Sequence, residues 1–385
     1  MTLQRDRAFW TISAQIALVN FYLGGFGPAQ PLLREDQGTS LTIAGLHGTA
    51  MGLASIIAGA LNPYLVHKFG RNRASWLGLG LFAAGIVMFV YCQPVQLTLL
   101  ATLLGGVGTS TVINNMVTSI SHHYKEDAGI ALPQSNAIGS AGYVSGTLLV
   151  GTLAGTSLSW RYGLLLAAPL SLILYIFGRE KDADEHVPDL DGPQRGKLSP
   201  QFWFAWIGFV ACISSEFATT FWAAALLRDR VESTAAISTV CIVALGTGMG
   251  IGRWFGGPAL KRFKLDHQIQ IIIGTQFIGF AIFWFSHILW VSLISLLVMG
   301  LGISMQFALS SIRLIGLSDN RPDLAIGKSS LAAGIAIGGA PFALGLLGDT
   351  LGSISRAYIM VPVLIAIAMI IIVKVPSHED TNIIK

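Results

Sequence analysis

The stretch GREKDADEHVPDLDGPQRGKLSP, Gly178 to Pro200, decides how the rest of the chain is read. Its charges, prolines and glycines mark a linker. It is the one long polar insert in a chain of 385 residues that is 53% hydrophobic and only 11% charged, where soluble domains run near about 25% charged. The mean hydropathy is +0.65. On both sides of the insert, apolar segments of about 20 residues recur, each long enough for a hydrocarbon core of about 30 Å. They read as spans near 8–33, 41–63, 74–92, 96–120, 129–153 and 158–177 before it, and 202–227, 234–257, 268–286, 288–312, 327–349 and 355–374 after it. The expected fold is an all-α membrane protein of twelve transmembrane helices in two six-helix bundles, 1–177 and 201–385, joined by the linker 178–200.

Lys and Arg set the expected orientation. With the N-terminus inside, 18 of the 24 basic residues fall on inner segments and 5 outside (Arg34, Arg161, Arg228, Arg230, Arg356), with Arg253 left out as lying at a helix end. Both termini and the linker are therefore expected in the cytoplasm, and topology accounts for the net charge of +4 without a nucleic-acid partner. MTLQRDRAFW leads into a hydrophobic segment too long for a signal-peptide core, so no cleavable signal is expected. The three cysteines, Cys92, Cys212 and Cys241, show no metal or disulfide spacing and read as packing residues.

A slide of about 194 residues brings the two halves into register. PLLRED (31–36) meets ALLRDR (225–230), HKF (67–69) meets KRF (261–263), and GVG (106–108) meets GLG (300–302). With a slip of one or two residues, DAGI (127–130) meets DLAI (323–326), and Arg161 meets Arg356. Two pseudo-symmetric halves in parallel repeat are one architecture of secondary transporters, with the substrate site near the midplane between them.

Two loops carry a family resemblance. LVHKFGRNRA, after the second span, has Gly70, Arg71 and Arg73, with His67 where an Asp is expected and Pro63 where a first Gly is expected. GRWFGGPALKRF, its counterpart, has Gly252, Arg253, Gly256 and Gly257, with Lys261 at the acidic position. Together with Ser-Trp-Arg at 159–161, these make the chain resemble the major facilitator superfamily over essentially its full length. The resemblance implies a gating role for His67, Arg71, Arg73, Arg253 and Lys261, although the Asp that helps latch the family's inner gate is replaced here. Glu216 with Trp222 resembles the fucose-permease-like branch. The Gly-Pro pair of the proton-coupled drug exporters is absent from NAIGSAGYVSG, and their buried arginine would fall near Thr102.

Glu216 sits near the middle of an apolar span, where acids are rare and by default functional. On a helix, Thr219 and Thr220 lie one turn on and Cys212 one turn back, a small polar face around one carboxylate. The offset puts Tyr22 opposite Glu216 and Asn20 opposite Ser214. The resemblance implies that these first helices of each triplet line the cavity. Asn114 and Asn115 in the fourth span, and Gln306 and Ser310 in the tenth, are further cavity candidates or else helix-to-helix glue. GTGMGIG (246–252) lies in an apolar span, follows no strand and lacks the Lys-Ser/Thr of a phosphate loop, so its glycines read as packing surfaces. His47 reads as a satisfied core histidine or the partner of an acid at the outer gate. HHYKED (122–127) reads as a solvated loop.

The expected function is a secondary active transporter working by alternating access, not an enzyme. It needs no cofactor and no metal, and its partners are a small-molecule substrate, protons and the lipid bilayer. It is expected in the plasma (cytoplasmic) membrane and to work as a monomer. Glu216 is the proton-coupling candidate. With no Lys or Arg expected at comparable depth, anions are disfavoured, leaving neutral polar solutes or hydrophobic cations. An exporter of drugs or metabolites is the alternative, and a receptor or scaffold without flux a third.

Overall fold

A computed structural model describes residues 5–124, 128–179, 196–319 and 321–377. Most of the linker, 180–195, lies outside them, as do Lys125 to Asp127 of the HHYKED loop. The described residues form helices only: α1 (Arg7–Phe26), α2 (Gln30–Gln37), α3 (Leu41–Phe69), α4 (Arg71–Tyr91), α5 (Val95–Tyr124), α6 (Ala128–Ala154), α7 (Arg161–Leu165) and α8 (Ala167–Gly178). After the linker come α9 (Pro200–Val231), α10 (Ala235–Cys241), α11 (Val243–Leu260), α12 (Leu265–Phe285), α13 (Leu289–Ile303), α14 (Gln306–Gly316), α15 (Pro322–Leu351), α16 (Ile354–Ala357) and α17 (Met360–Lys374).

Among the described residues, eleven passages are long and apolar enough to cross a membrane. The twelfth, α1, has 20 residues and so spans roughly 30 Å, but Gln15 and Asn20 dilute its hydropathy. Several expected spans are broken in the middle. α1 stops before Pro28, α10 and α11 part at Ile242, and α13 and α14 part at Ser304 and Met305. Local chemistry starts the helices: Asp6, Ser40, Ser199 and Thr234 each cap an N-terminus by accepting from the N–H three residues on. Large apolar side chains such as Phe177 (73% exposed) and Trp290 (72%) face outward, as lipid-facing positions do and water-facing ones rarely do.

The glycine-rich stretch confirms its reading as a packing surface, and on two sides. A Cβ at Gly248 would lie 2.1 Å from the Leu297 carbonyl of α13, and one at Gly252 would meet Ser304. Gly246 and Gly250, on the other face, admit Tyr143 and Ser140 of α6. One face holds α11 to its neighbour α13. The other holds it against a helix from before the linker.

Contacts between α1–α8 and α9–α17 gather toward the face opposite the termini. α3 lies along α15, and α6 along α10 and α11. The Asp349 carboxylate of α15 accepts from Leu41 N–H (3.1 Å) and Thr42 N–H (2.7 Å), and from the Thr42 hydroxyl. Since Ser40 takes the Ile43 N–H, the start of α3 is capped partly from another part of the chain. Arg228 pairs with Glu35 at 2.5 Å nearby, joining the two stretches that the internal repeat aligned. These groups line a vestibule of about 510 Å³ together with Arg34, Asp229 and Trp222. Deeper in, Thr49 donates to the Gly338 carbonyl at 2.9 Å.

Candidate functional site

Glu216 lies at the middle of α9 and is half-buried. Its carboxylate accepts no hydrogen bond from a described residue, yet it is not sealed among the buried polar atoms that lack a partner. Arg253 of α11 and Tyr143 of α6 stand within electrostatic range of it. Arg253 also donates to the Ser140 hydroxyl of α6 at 2.9 Å. The Gly246 and Gly250 face makes this possible. Arg253 continues the same stripe at helical spacing, so the approach that lets α6 close on α11 delivers the guanidinium to Ser140.

This corrects the expected position of Arg253, which lies not at a helix end but inside α11, about two turns short of Leu260, with a partner across the seam. The exclusion of anions rested on the absence of a deep cation, and that ground is gone.

The polar face of α9 divides in two. Thr220 stays half-buried beside Glu216 and bonds back to its carbonyl at 3.0 Å. Thr219, Cys212 and Ser215 turn to the interior of the carboxy-terminal helices. Cys212 donates to Gln306 Oε1 (3.1 Å), Gln306 Nε2 to Gln276 Oε1 (2.7 Å), and Gln276 Nε2 to Ser215 Oγ (3.1 Å). Ser310 is buried one turn beyond Gln306 on α14. Gln306, read in the sequence as a cavity candidate or helix glue, lies in a hydrogen-bonded network with α9 and α12 one turn from Glu216. Such chains are satisfied by their own members and stiffen what they connect.

The amino-terminal candidates scatter. Tyr22 is buried between Phe26 and Phe82, so it packs inside its own helices. Asn115 exchanges two amide bonds with Asn62 of α3, at 3.0 and 3.3 Å, which joins the two helices. Asn114 is half-buried and accepts from Thr118 through its carbonyl. Asn20 is half-buried and donates to the Ile16 carbonyl, with its amide beside Gly139 of α6. His47 is the satisfied core histidine, bonded to the Ala44 carbonyl and Thr98. Trp222 is fully buried and donates to the Pro341 carbonyl, so it serves the α9–α15 contact and not the Glu216 face. His67, Arg73 and Lys261 are exposed and Arg71 half-buried, all near the face that holds the termini.

Four residues went unread in the sequence. Gln276 announces itself only as an amide in an apolar helix. Ser140 and Tyr143 needed the α6–α11 pairing to be noticed. Asp349 stands at the end of a span, where an acid carries no local sign of a partner in another helix.

On the face that holds the termini, Asp6 takes bonds from His123 (2.5 Å) and Tyr124 (2.9 Å) as well as from the Phe9 amide (3.0 Å). Burial pushes the Asp6 carboxyl up, but these bonds outweigh it and hold the group below its ordinary value. His123 is thus tied to a helix cap.

The sequence pattern described as Major Facilitator Superfamily matches residues 12–321. No curated protein matches the chain in sequence. Among solved structures, the nucleoside transporter NupG in its D323A form superposes with a TM-score of 0.75 at 14% identity, covering 95% of this chain and 98% of that one. A second NupG structure gives 0.73 with the same identity and coverage. At that identity the likeness speaks for the fold alone.

Proposed function

Because the chain belongs to the Major Facilitator Superfamily, and is therefore a multi-pass secondary transporter and not an enzyme, we propose that Glu216 couples the movement of a small polar organic solute to protons. The observation that carries this reading is the half-buried carboxylate at the middle of α9, open to space and free of hydrogen-bond partners among the described residues. A structural glutamate between helices would be protonated and bonded to a neighbour. This one is not bonded. A carboxylate that faces each side of the membrane in turn can load a proton on one and release it on the other. The contacts gathered away from the termini support a state closed on that face and open on the other; the excess of Lys and Arg supports termini and linker in the cytoplasm, and the reading takes two six-helix bundles rocking about the site and a monomer as the working unit. Arg253 removes hydrophobic cations from the candidate substrates, since a bare cation would meet a like charge at the site. Neutral polar solutes, nucleosides among them, and solutes with an anionic group remain.

The test is Glu216→Gln in proteoliposomes. Glutamine keeps the volume of the protonated acid but cannot release a proton. The variant is expected to exchange substrate across the membrane while losing accumulation driven by a pH gradient. Accumulation equal to wild type would return Glu216 to a structural role.

A further inference from the structure

Where this protein buries an arginine fully, it supplies a carboxylate: Arg161 has Asp36 at 3.3 Å and Arg313 has Asp266 at 2.8 Å. An unpaired buried charge is costly, which is why such groups are paired. Arg253 is held differently. It is half-buried inside the span Ala235–Leu260 and has no carboxylate within ion-pair distance among the described residues. Its guanidinium crosses to α6 and donates through Nη1 to the Ser140 hydroxyl at 2.9 Å. That uses one of five N–H donors, and none of its nitrogens is sealed without a partner. Ser140 donates in turn to the Asn136 carbonyl at 3.2 Å, so its oxygen is left to accept from Arg253.

Asn136 stands one turn before Ser140 on the same face of α6. It is half-buried, and its side-chain amide bonds to no described residue and is not sealed. The helices meet closely because a Cβ at Gly250 would lie 3.2 Å from the Ser140 side chain, and one at Gly246 2.6 Å from the Tyr143 ring. Ser140 is at the middle of α6 (Ala128–Ala154), and Asn136 lies one turn nearer the face that holds the termini, away from the sealed contacts. A charged group at this depth faces the bundle interior or a watery cavity, because lipid cannot solvate it.

We propose that the Arg253 fork of α11, with the Asn136 amide of α6 beside it, binds the carboxylate of a small organic acid, and that this acid is the transported solute. The niche is rich in donors and carries a positive charge. A planar guanidinium fork matches the two oxygens of a carboxylate. A hydroxyl or neutral carbonyl would accept a bond but leave the cation without a counter-charge, and a cationic solute would be repelled. Since Arg253 also holds Ser140, a carboxylate on it is felt by α6 and α11 together, one helix from each side of the linker. Such a site rests on the reading of the chain as a carrier of a small polar solute but not on coupling to protons, so binding is measured with no gradient.

The experiment uses the full chain, purified in lipid nanodiscs at neutral pH, with binding followed by melting temperature and calorimetry. The probes are lactate, pyruvate, succinate, benzoate, gluconate and shikimate, each beside its methyl ester. Uridine and fucose are uncharged comparators, and inorganic phosphate and methanesulfonate are anions of other shape. At least one carboxylate is expected to bind, with its ester weaker by roughly tenfold or more. Arg253→Gln is expected to weaken the acid by a similar factor without further weakening the ester, Arg253→Lys to restore part of the loss, and Asn136→Ala to weaken the acid to a smaller extent. The partial rescue, and the ester left unaffected, separate recognition from a merely structural role. If Arg253→Gln fails to fold, the lysine and Asn136 variants and the wild-type acid and ester series decide alone. Silence of every carboxylate, tight binding of uridine, fucose, phosphate or methanesulfonate in their place, or an affinity unchanged in Arg253→Gln or in Asn136→Ala would each overturn the proposal. Binding of uridine or fucose alone would do so while leaving Glu216 as the coupling residue. Gradient-driven uptake retained in Glu216→Gln, with carboxylate binding intact, would remove the coupling role and leave this site standing.

Discussion

Removing the Asp349 carboxylate should open the face that it seals. Asp349 supplies acceptors to two N–H groups at the start of α3 and to the Thr42 hydroxyl. Loss of a helix cap costs about 0.5–2 kcal/mol, and bonds to a charged acceptor run about 1.5–3 kcal/mol. Asp349 is exposed, which argues for the lower part of these ranges, about 1–2 kcal/mol for Asp349→Ala. That equals a change of about 5- to 30-fold in the ratio of sealed to open molecules. The neighbouring Arg228–Glu35 pair is shorter than either of the two N–H bonds but has side chains 37% and 45% exposed, and exposed pairs contribute about 0–1 kcal/mol. The cap, not the ion pair, should therefore hold the seal. Spin labels at Thr39 and Ser233, in a background without the three native cysteines, report the distance between the two sets of helices on that face. Asp349→Ala is expected to shift the distribution toward longer distances, Asp349→Asn to shift it less, and Glu35→Gln to shift it least. A larger effect from Glu35→Gln than from Asp349→Ala, or no shift in the latter, refutes the reasoning.

Gly248→Leu should lower the melting temperature or block flux, because its Cβ alone would lie 2.1 Å from the Leu297 carbonyl and overpacking of this kind costs about 1–3 kcal/mol; unchanged melting and transport would remove the packing account. The stabilising bonds of Asp6 depend on its charge, and its folded pKa is depressed. Their contribution is present above the unfolded carboxylate pKa and is lost as pH falls through the folded one. Asp6→Asn should melt below wild type at pH 7, with the gap closing below about pH 4; a gap that widens with acid has the wrong sign. A cysteine replacing Lys261, exposed after α11, should resist an impermeant thiol reagent in intact cells and react after permeabilisation. Reaction in intact cells reverses the orientation.

What the sequence disclosed follows from which signals are local. Apolar length and a polar insert are local, so the spans could be read, though their interior breaks could not. The break at Ser304 and Met305 has no proline or run of polar residues to mark it, and α13 reads straight into α14. Glu216 was legible because a lone acid in an apolar run is conspicuous. Arg253 was misplaced for the opposite reason. It sits among glycines and a basic loop follows, so it looked like part of that loop, and its depth emerges only when α11 is drawn through to Leu260. The amide candidates were correctly singled out as polar, but which were spoken for depends on neighbours distant in sequence. Asn115 has Asn62, Gln306 has Gln276 and Cys212, and nothing in spacing reveals such pairings.

The composition of α1 bears on how the protein is made. Ser75 of α4 donates to Gln15 Oε1 at 2.9 Å, and Ser13 bonds to Ser135 of α6 at 3.0 Å. Those partners lie 60 and 122 residues further along the chain. At about 5–20 residues per second of synthesis, α1 waits several seconds or more for each. Through that interval the least apolar span of the protein exposes an amide and a hydroxyl whose native partners do not yet exist. Its early residence in the bilayer must then be shielded by the insertion machinery or deferred. Exchange of Gln15 for leucine should relieve that delay even while it costs the finished protein a hydrogen bond.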